Sequence, residues 1–475
     1  MAGIGFELNK FLKRNSFFSD IFSFFYSANV SAGPWIMSST TLVIIQLLLP
    51  QSQIPFFISG VIYTFIFSTI LFGSVSTSIT RYLADLIYKK EFRKIYSLYT
   101  SSIFYAILSS GIFLTSFFIL NKITDWRQIL LFSYSLMVLT IIWVQVIFIT
   151  AIMTFLPVVL SFLFGSLISL LSTFYFFKIG GEYLAYLGYN LGFMFIMSFL
   201  QLFIRRYLYI GEEQSTQSFK DKYLLFFDAV KAYKPQAISG FFSYMAAWVD
   251  DFIAWAYFKY SVSRGFIFAP QYDIPMFISY LFIIPTLTLF VLNLETVFYT
   301  KYRGFYRAIE ENRTLNYIRI SKDSLDTSVY STTRLIFSVQ FAFALSGIIL
   351  SKYLADVLSL SNYGLMALRF GIVGAAANGL FLYTSLLSHY FDLPKIPMHA
   401  SIMAFSINFI ISLFTISRFP GIGFAIGFLV AIPYSMLKFR KVYSELLRFE
   451  FLRNAPKMTP RKVIIHENIQ SDSYR

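Results

Sequence analysis

Long apolar runs alternate along this chain with short polar or Pro/Gly-punctuated breaks. A run of about 20 apolar residues, at about 1.5 Å per helical residue, spans a bilayer's hydrocarbon core of roughly 30 Å. The pattern predicts twelve such spans, near 22–49, 54–80, 95–120, 128–151, 154–177, 182–204, 236–258, 274–299, 333–355, 363–388, 396–416 and 419–437. The fourth and fifth are the hardest to separate, with only Ala151-Ile152-Met153 and Pro157 suggesting a turn. Spans 2 and 8 each run on into a polar, aromatic helix, 81–95 and 294–312, at the same point of a six-span unit. That match suggests an internal duplication. The expected fold class is an all-α membrane protein of about twelve helices in two six-helix halves. The expected divisions are 1–204 (an amphipathic helix and the first half), a cytoplasmic linker 205–235, the second half 236–437, and a basic cytoplasmic tail 438–475.

Composition agrees with this class. The chain has 475 residues, 57% hydrophobic and only 13% charged, with a mean hydropathy of +0.65, the profile of a polytopic membrane protein rather than a soluble one. Aromatic residues make up 20%, with 58 Phe; some form interfacial belts, and many serve as lipid-facing filler. The net charge of +15 sits in short loops between apolar runs, which argues against a nucleic-acid partner and for a bilayer surface. Counted over the predicted topology, 31 Lys and Arg fall on the side of the N-terminus, 7 on the other, and one, Arg369, within a span. This asymmetry places both termini in the cytoplasm. Residues 6–20, with Lys10, Lys13 and Arg14, read as an interfacial amphipathic helix. Val30-Ser31-Ala32 resembles a cleavage site, but Asp20 interrupts the preceding apolar stretch and a second apolar run follows, so a retained segment is expected. The tail from Lys438 reads as a solvated, membrane-skirting segment.

Function-bearing residues are those where polarity is expensive. Span 7, Gln236–Phe258, carries Asp250 and Asp251 between Trp248 and Trp255. Acids inside a membrane face a bundle interior or a wet cavity. Adjacent helical positions diverge by about 100°, so the two carboxylates point in different directions. Span 10 runs the opposite way and puts Arg369 at a comparable depth, so an ion pair with Asp250 or Asp251 is possible. Two roles stay open for these charges: pinning helix 7 to helix 10, or contact with substrate or ion. Glu295, near the cytoplasmic end of span 8, reads as a gate or interface residue. Pro34 and Trp35 in span 1 predict a kink, either a structural bend or a hinge lining a pathway.

Enzyme classes find little support. There is no Gly-rich loop ending in GK[ST], and no loop is long enough for a catalytic domain. His389, near Asp392, is the one candidate base, without a nucleophile or orienting partner. The chain has no Cys, and its three His (His389, His399, His466) lack metal-binding spacing; neither a metal nor a cofactor is expected.

The opening Met1-Ala2-Gly3-Ile4-Gly5-Phe6-Glu7-Leu8, then Ser31-Ala32-Gly33-Pro34-Trp35, resembles the start of PelG-type proteins. Trp248-Val249-Asp250-Asp251, Asp273-Ile274-Pro275-Met276-Phe277, Leu294-Glu295-Thr296 and Tyr302-Arg303-Gly304-Phe305-Tyr306 continue the resemblance over essentially the whole length. The resemblance implies the multidrug/oligosaccharidyl-lipid/polysaccharide (MOP) superfamily, with two halves in a V around a central cavity. It implies export of the Pel exopolysaccharide across the bacterial cytoplasmic membrane. It implies as partners a cytosolic glycosyltransferase and membrane subunits that scaffold the complex or bind cyclic di-GMP. The basic segments 81–95, 205–234 and 301–322 are where a glycosyltransferase would dock. The alternatives are a cation-coupled antiporter or flippase for small molecules or lipid-linked oligosaccharides, and a pure assembly scaffold.

Overall fold

The structure, a computed structural model, describes residues 53–151, 156–208, 219–263, 265–293 and 297–454, with scattered positions between 27 and 49. Pro34, Trp35, Glu295, the amphipathic segment 6–20 and the last part of the tail lie outside the described residues.

Nearly all described residues are helical. The chain runs through α1 (Pro55–Ser68), a π-helical turn Thr69–Gly73, α2 (Ser74–Tyr88), α3 (Phe92–Leu120), α4 (Trp126–Ala151) and α5 (Leu156–Leu208). It continues with α6 (Phe219–Ala232), α7 (Lys234–Phe258), strands β1 (Ser261–Ser263) and β2 (Phe266–Ile267), α8 (Pro270–Ser279), a 3-10 turn Tyr280–Ile283 and α9 (Ile284–Asn293). Then follow α10 (Tyr299–Glu310), α11 (Leu315–Val357), α12 (Asn362–Tyr390), α13 (Lys395–Thr415), α14 (Ile422–Tyr443) and α15 (Leu446–Asn454). Among the described residues, nine helical segments are long and apolar enough to cross a membrane. One of the nine, Leu156–Tyr207, is two spans. Gly180 and Gly181 break the helix, Gly181 at φ 69, a left-handed conformation that suits a residue without Cβ. The two limbs fold back on each other, with Ser169 Oγ donating to the Tyr189 carbonyl at 2.9 Å. α7 is not among the nine, although at 25 residues it is long enough; its polar residues are offset by burial between the two halves.

Several predicted boundaries move. The helix predicted over 81–95 ends at Tyr88, because Lys90 turns left-handed (φ 59) and Glu91 N closes onto the Leu86 carbonyl at 2.9 Å. The helix that carries span 9, predicted over 333–355, starts well before it. α11 starts at Leu315, where Tyr317 N donates to the Thr314 side chain at 3.4 Å, and runs 43 residues, about 65 Å at 1.5 Å per residue. Its first turns pair with α10 and pack onto the ends of α12 and α14, forming a separate apolar cluster around Phe305, Ile318, Leu325, Phe391 and Phe439. The segment after α5 holds a helix too: α6 packs on α2 and α3, with Tyr105 stacked on Phe226 at 4.0 Å.

Within the first half, α4 packs on α1, α3 and α5; within the second, α13 and α14 pack on α7 and α12. The halves meet where α2 and the π-helical turn run against α7.

Candidate functional site

The site is best built outward from α7. Pro235 in its first turn suits a position where the missing N–H costs nothing. Lys259 ends it in a left-handed turn, φ 52. Trp248, Asp251 and Trp255 are spaced i, i+3, i+7 and so share one stripe, while Asp250 is rotated away. That stripe faces the first half: Trp248 Nε1 donates to Thr69 Oγ1 at 3.2 Å, and Trp255 stacks on Tyr63 at 4.4 Å and 13°.

The two aspartates therefore live in different surroundings. Asp250 points into the second half, where it accepts bonds from the Tyr272 hydroxyl and from Asn408 Nδ2 at 2.9 Å. Asn408 also donates to the Ala246 carbonyl at 2.8 Å and accepts from Ser412 at 2.8 Å. Asp251, 2% exposed, has a buried Oδ2 with no hydrogen-bond partner. A third acid, Asp273, lies within electrostatic reach; it accepts from Trp255 Nε1 at 2.9 Å and from Ala269 N at 2.8 Å. Among the described residues, no lysine or arginine is paired with any of the three. Three buried carboxylates without a basic neighbour need protons or a bound cation to offset their charge. No group of acids or histidines among the described residues has metal-holding geometry.

Arg369 is not the missing partner. It is exposed, and its Nε donates to Ser351 Oγ at 2.9 Å. The possible ion pair with Asp250 or Asp251 does not form, because Arg369 sits on a face of α12 turned toward Ser351 of α11. Charge patterning along the spans does not single out Asp273, Tyr272 or Asn408 as site residues. The signal for Asp273 was there, an acid at the start of an apolar run, whereas a lone Asn in span 11 carries none.

Above this cluster the halves are closed. The β1–β2 hairpin lays Phe266, fully buried, among Phe56, Tyr63, Phe117 and Phe132 of the first half. Tyr63 donates to the Ile267 carbonyl at 2.9 Å and accepts from Ile267 N at 3.1 Å. Residues of both halves line a cavity of about 890 Å³. Its lining is largely apolar: Ile36, Leu163, Leu167, Leu281, Ile284 and Phe343 are among the residues around it. Neither aspartate lines it, nor does Arg369 or Trp248.

Comparison with known proteins agrees with this architecture. Residues 1–451 match the model of PelG, an exopolysaccharide exporter (EPS-E) family. No curated protein matches the sequence. Among solved structures, a multidrug-resistance MATE family transporter of the MOP superfamily is similar in both its inward-facing form (TM-score 0.56, 13% identity, 89% of this chain and 96% of that one) and its outward-facing form (0.59, 14%, 90% and 96%). The eukaryotic MATE transporter AtDTX14 is similar as well, at 0.57 and 14% identity over 93% of this chain and 99% of that one.

Proposed function

Because the chain belongs to the PelG family of exopolysaccharide exporters and has the MATE-like transporter fold in two halves, we propose that it moves a Pel-type exopolysaccharide across the cytoplasmic membrane. The halves would rock about the seam between α2 and α7, with both termini in the cytoplasm. The observation that carries this reading is the α7 stripe Trp248–Asp251–Trp255. It puts a buried carboxylate, one oxygen of which has no hydrogen-bond partner, on the face of α7 that meets the first half. Asp250 supports that stripe from behind through Tyr272 and Asn408. Pro34, Trp35 and Glu295 are assigned to the pathway or its gates, and Arg369 to the α11–α12 contact. A cytosolic glycosyltransferase would feed the polymer in at the end where 81–95, 205–234 and 301–322 cluster their basic residues, with scaffold and cyclic di-GMP-binding subunits alongside.

Asp251→Asn keeps the size of the side chain while removing its ionisable group. Exopolysaccharide secretion should fall at least about tenfold with unchanged protein in the membrane, since the lost step costs more than about 1.4 kcal/mol. Asp250→Ala should likewise abolish export. Secretion at the normal rate by the Asp251 variant would refute the assignment.

A second reading, a cation-coupled flippase for lipid-linked oligosaccharides, is favoured by the same acid cluster without basic partners. Purified protein in vesicles, given a proton or sodium gradient, separates the two. Flipping of a lipid-linked oligosaccharide driven by the gradient alone supports the flippase, and a requirement for the polymerase supports polymer export.

A further inference from the structure

A second, smaller cavity of about 700 Å³ lies away from the transport seam, on the outer flank of the first half. It runs between α3, α4 and the second limb of α5, with Tyr223 of α6 at its edge against Phe104 (ring centroids 5.1 Å). Three of its lining residues, Phe104 (44%), Ile107 (46%) and Leu202 (66%), are strongly exposed, so the groove opens toward the surrounding lipid.

Its chemistry is tiered along the helix axes. Deepest are Ile103, Phe104, Ile107, Ile141 and Met197, an apolar slot. The middle tier is polar. Gln201 Oε1 accepts from Gln145 Nε2 at 3.0 Å and from the Tyr99 hydroxyl. Gln145 is fixed in turn by a 3.1 Å bond to the Met197 carbonyl. With its oxygen held from two sides, the Gln201 amide keeps its NH2 for the groove. The outermost tier is basic. Arg93 is one turn before Tyr96, Arg205 one turn after Gln201 and Arg206 one turn after Leu202, so helical spacing sets all three over the groove mouth. All three are exposed, and among the described residues none is in an ion pair.

Apolar slot, amide donor and arginine rim, in that order from mid-membrane outward, repeat the order of acyl chain, ester carbonyl and phosphate in a phospholipid. We propose that this groove is a binding site for one anionic diacyl phospholipid of the adjacent leaflet. The acyl chain lies along Ile103, Ile107 and Ile141, the Gln201 amide donates to an ester carbonyl, and Arg93, Arg205 and Arg206 hold the headgroup phosphate. A bound lipid ties together the ends of α3 and α5 and the flanking helix α6, which leads directly into α7. The site is independent of what the protein exports.

The test uses the full-length protein in mixed micelles with dioleoylphosphatidylglycerol or dioleoylphosphatidylcholine, reading retained lipid per chain by native mass spectrometry. The wild type should retain the anionic phosphatidylglycerol with a clear preference. Each arginine near an anionic headgroup contributes on the order of fivefold in affinity, so Arg205→Gln/Arg206→Gln should lower that preference on the order of thirtyfold. Gln201→Met should weaken retention of both lipids alike and leave the preference intact. Lys438→Gln/Arg440→Gln, at the basic end of α14, should change nothing. Equal retention of the two lipids by the wild type overturns the proposal. So does an undiminished preference in the Arg205/Arg206 variant. An equal loss of preference in the Lys438/Arg440 variant also overturns it, because the attraction would then be one of overall charge. The arginine pair sits on an exposed helix end, so its result stands even if Gln201→Met fails to fold.

Discussion

The two contacts between the halves are built on opposite principles. Where α1, the π-helical turn and α2 run against α7, side chains interlock along the whole length. The Phe266 plug and the Tyr63–Trp255 stack close one end, and Thr69–Trp248 ties the middle. Gly240 lets the backbones of α2 and α7 meet near Ser74. At the other end Ser78 Oγ donates to the Tyr233 carbonyl at 2.9 Å and Tyr233 donates to Asp85. Elsewhere the two halves share a largely apolar cavity lined by Leu163, Leu167, Leu281 and Phe343 among others. Directional bonds and interlocked rings hold one geometry or break, whereas hydrocarbon against hydrocarbon tolerates sliding. The polar seam is where Asp251, with its unpaired Oδ2, sits.

The largest effect expected from breaking this contrast is at the plug. Phe266→Ala removes a fully buried ring touching four aromatic neighbours, which costs about 3–5 kcal/mol. Chemical unfolding in detergent should show that loss. Because the chain has no cysteine, a Thr69→Cys reporter should gain maleimide reactivity in the same background. A variant as stable and as closed as the wild type would show that the hairpin merely rests on the first half.

A smaller effect is expected at the closest approach. A Cβ on Gly240 would lie 2.4 Å from the Ser74 carbonyl oxygen, and a backbone atom cannot turn aside as a side chain does. Gly240→Val should cost about 1–3 kcal/mol and slow export, since the seam would no longer close fully. Unchanged stability together with unchanged export would mean that α2 and α7 do not need this contact.

The legible parts of this molecule are those written as runs. Apolar stretches located the spans, including the two limbs, 154–177 and 182–204, that the break at Gly180 and Gly181 separates. Asp250 and Asp251 announced themselves because acids are conspicuous in a span. What stayed hidden was direction and pairing. Charge alone suggested Arg369 as partner, but its orientation on α12 is set by packing against Ser351. Asn408 reads as one polar residue in an apolar helix until the fold sets it 2.9 Å from Asp250. The first turns of α11 are too polar to register as a span, and only their contact with α10 and α14 shows why they are helical. The plug is five strand residues long, and nothing in its composition foretells that Phe266 crosses into the other half.

The smallest effect should come from the apolar cavity, and it sharpens the contrast most. Leu167 is 52% exposed and lines the apolar cavity. Truncating a side chain that already faces lipid removes few protein contacts and creates no enclosed void. Leu167→Ala should therefore change unfolding free energy by no more than about 0.5 kcal/mol, against several for Phe266→Ala. Truncation to a methyl group at both seams then reads out their construction directly. If Leu167→Ala instead destabilises as strongly as the plug variant, the cavity walls are pressed together in the membrane, and the two seams are alike.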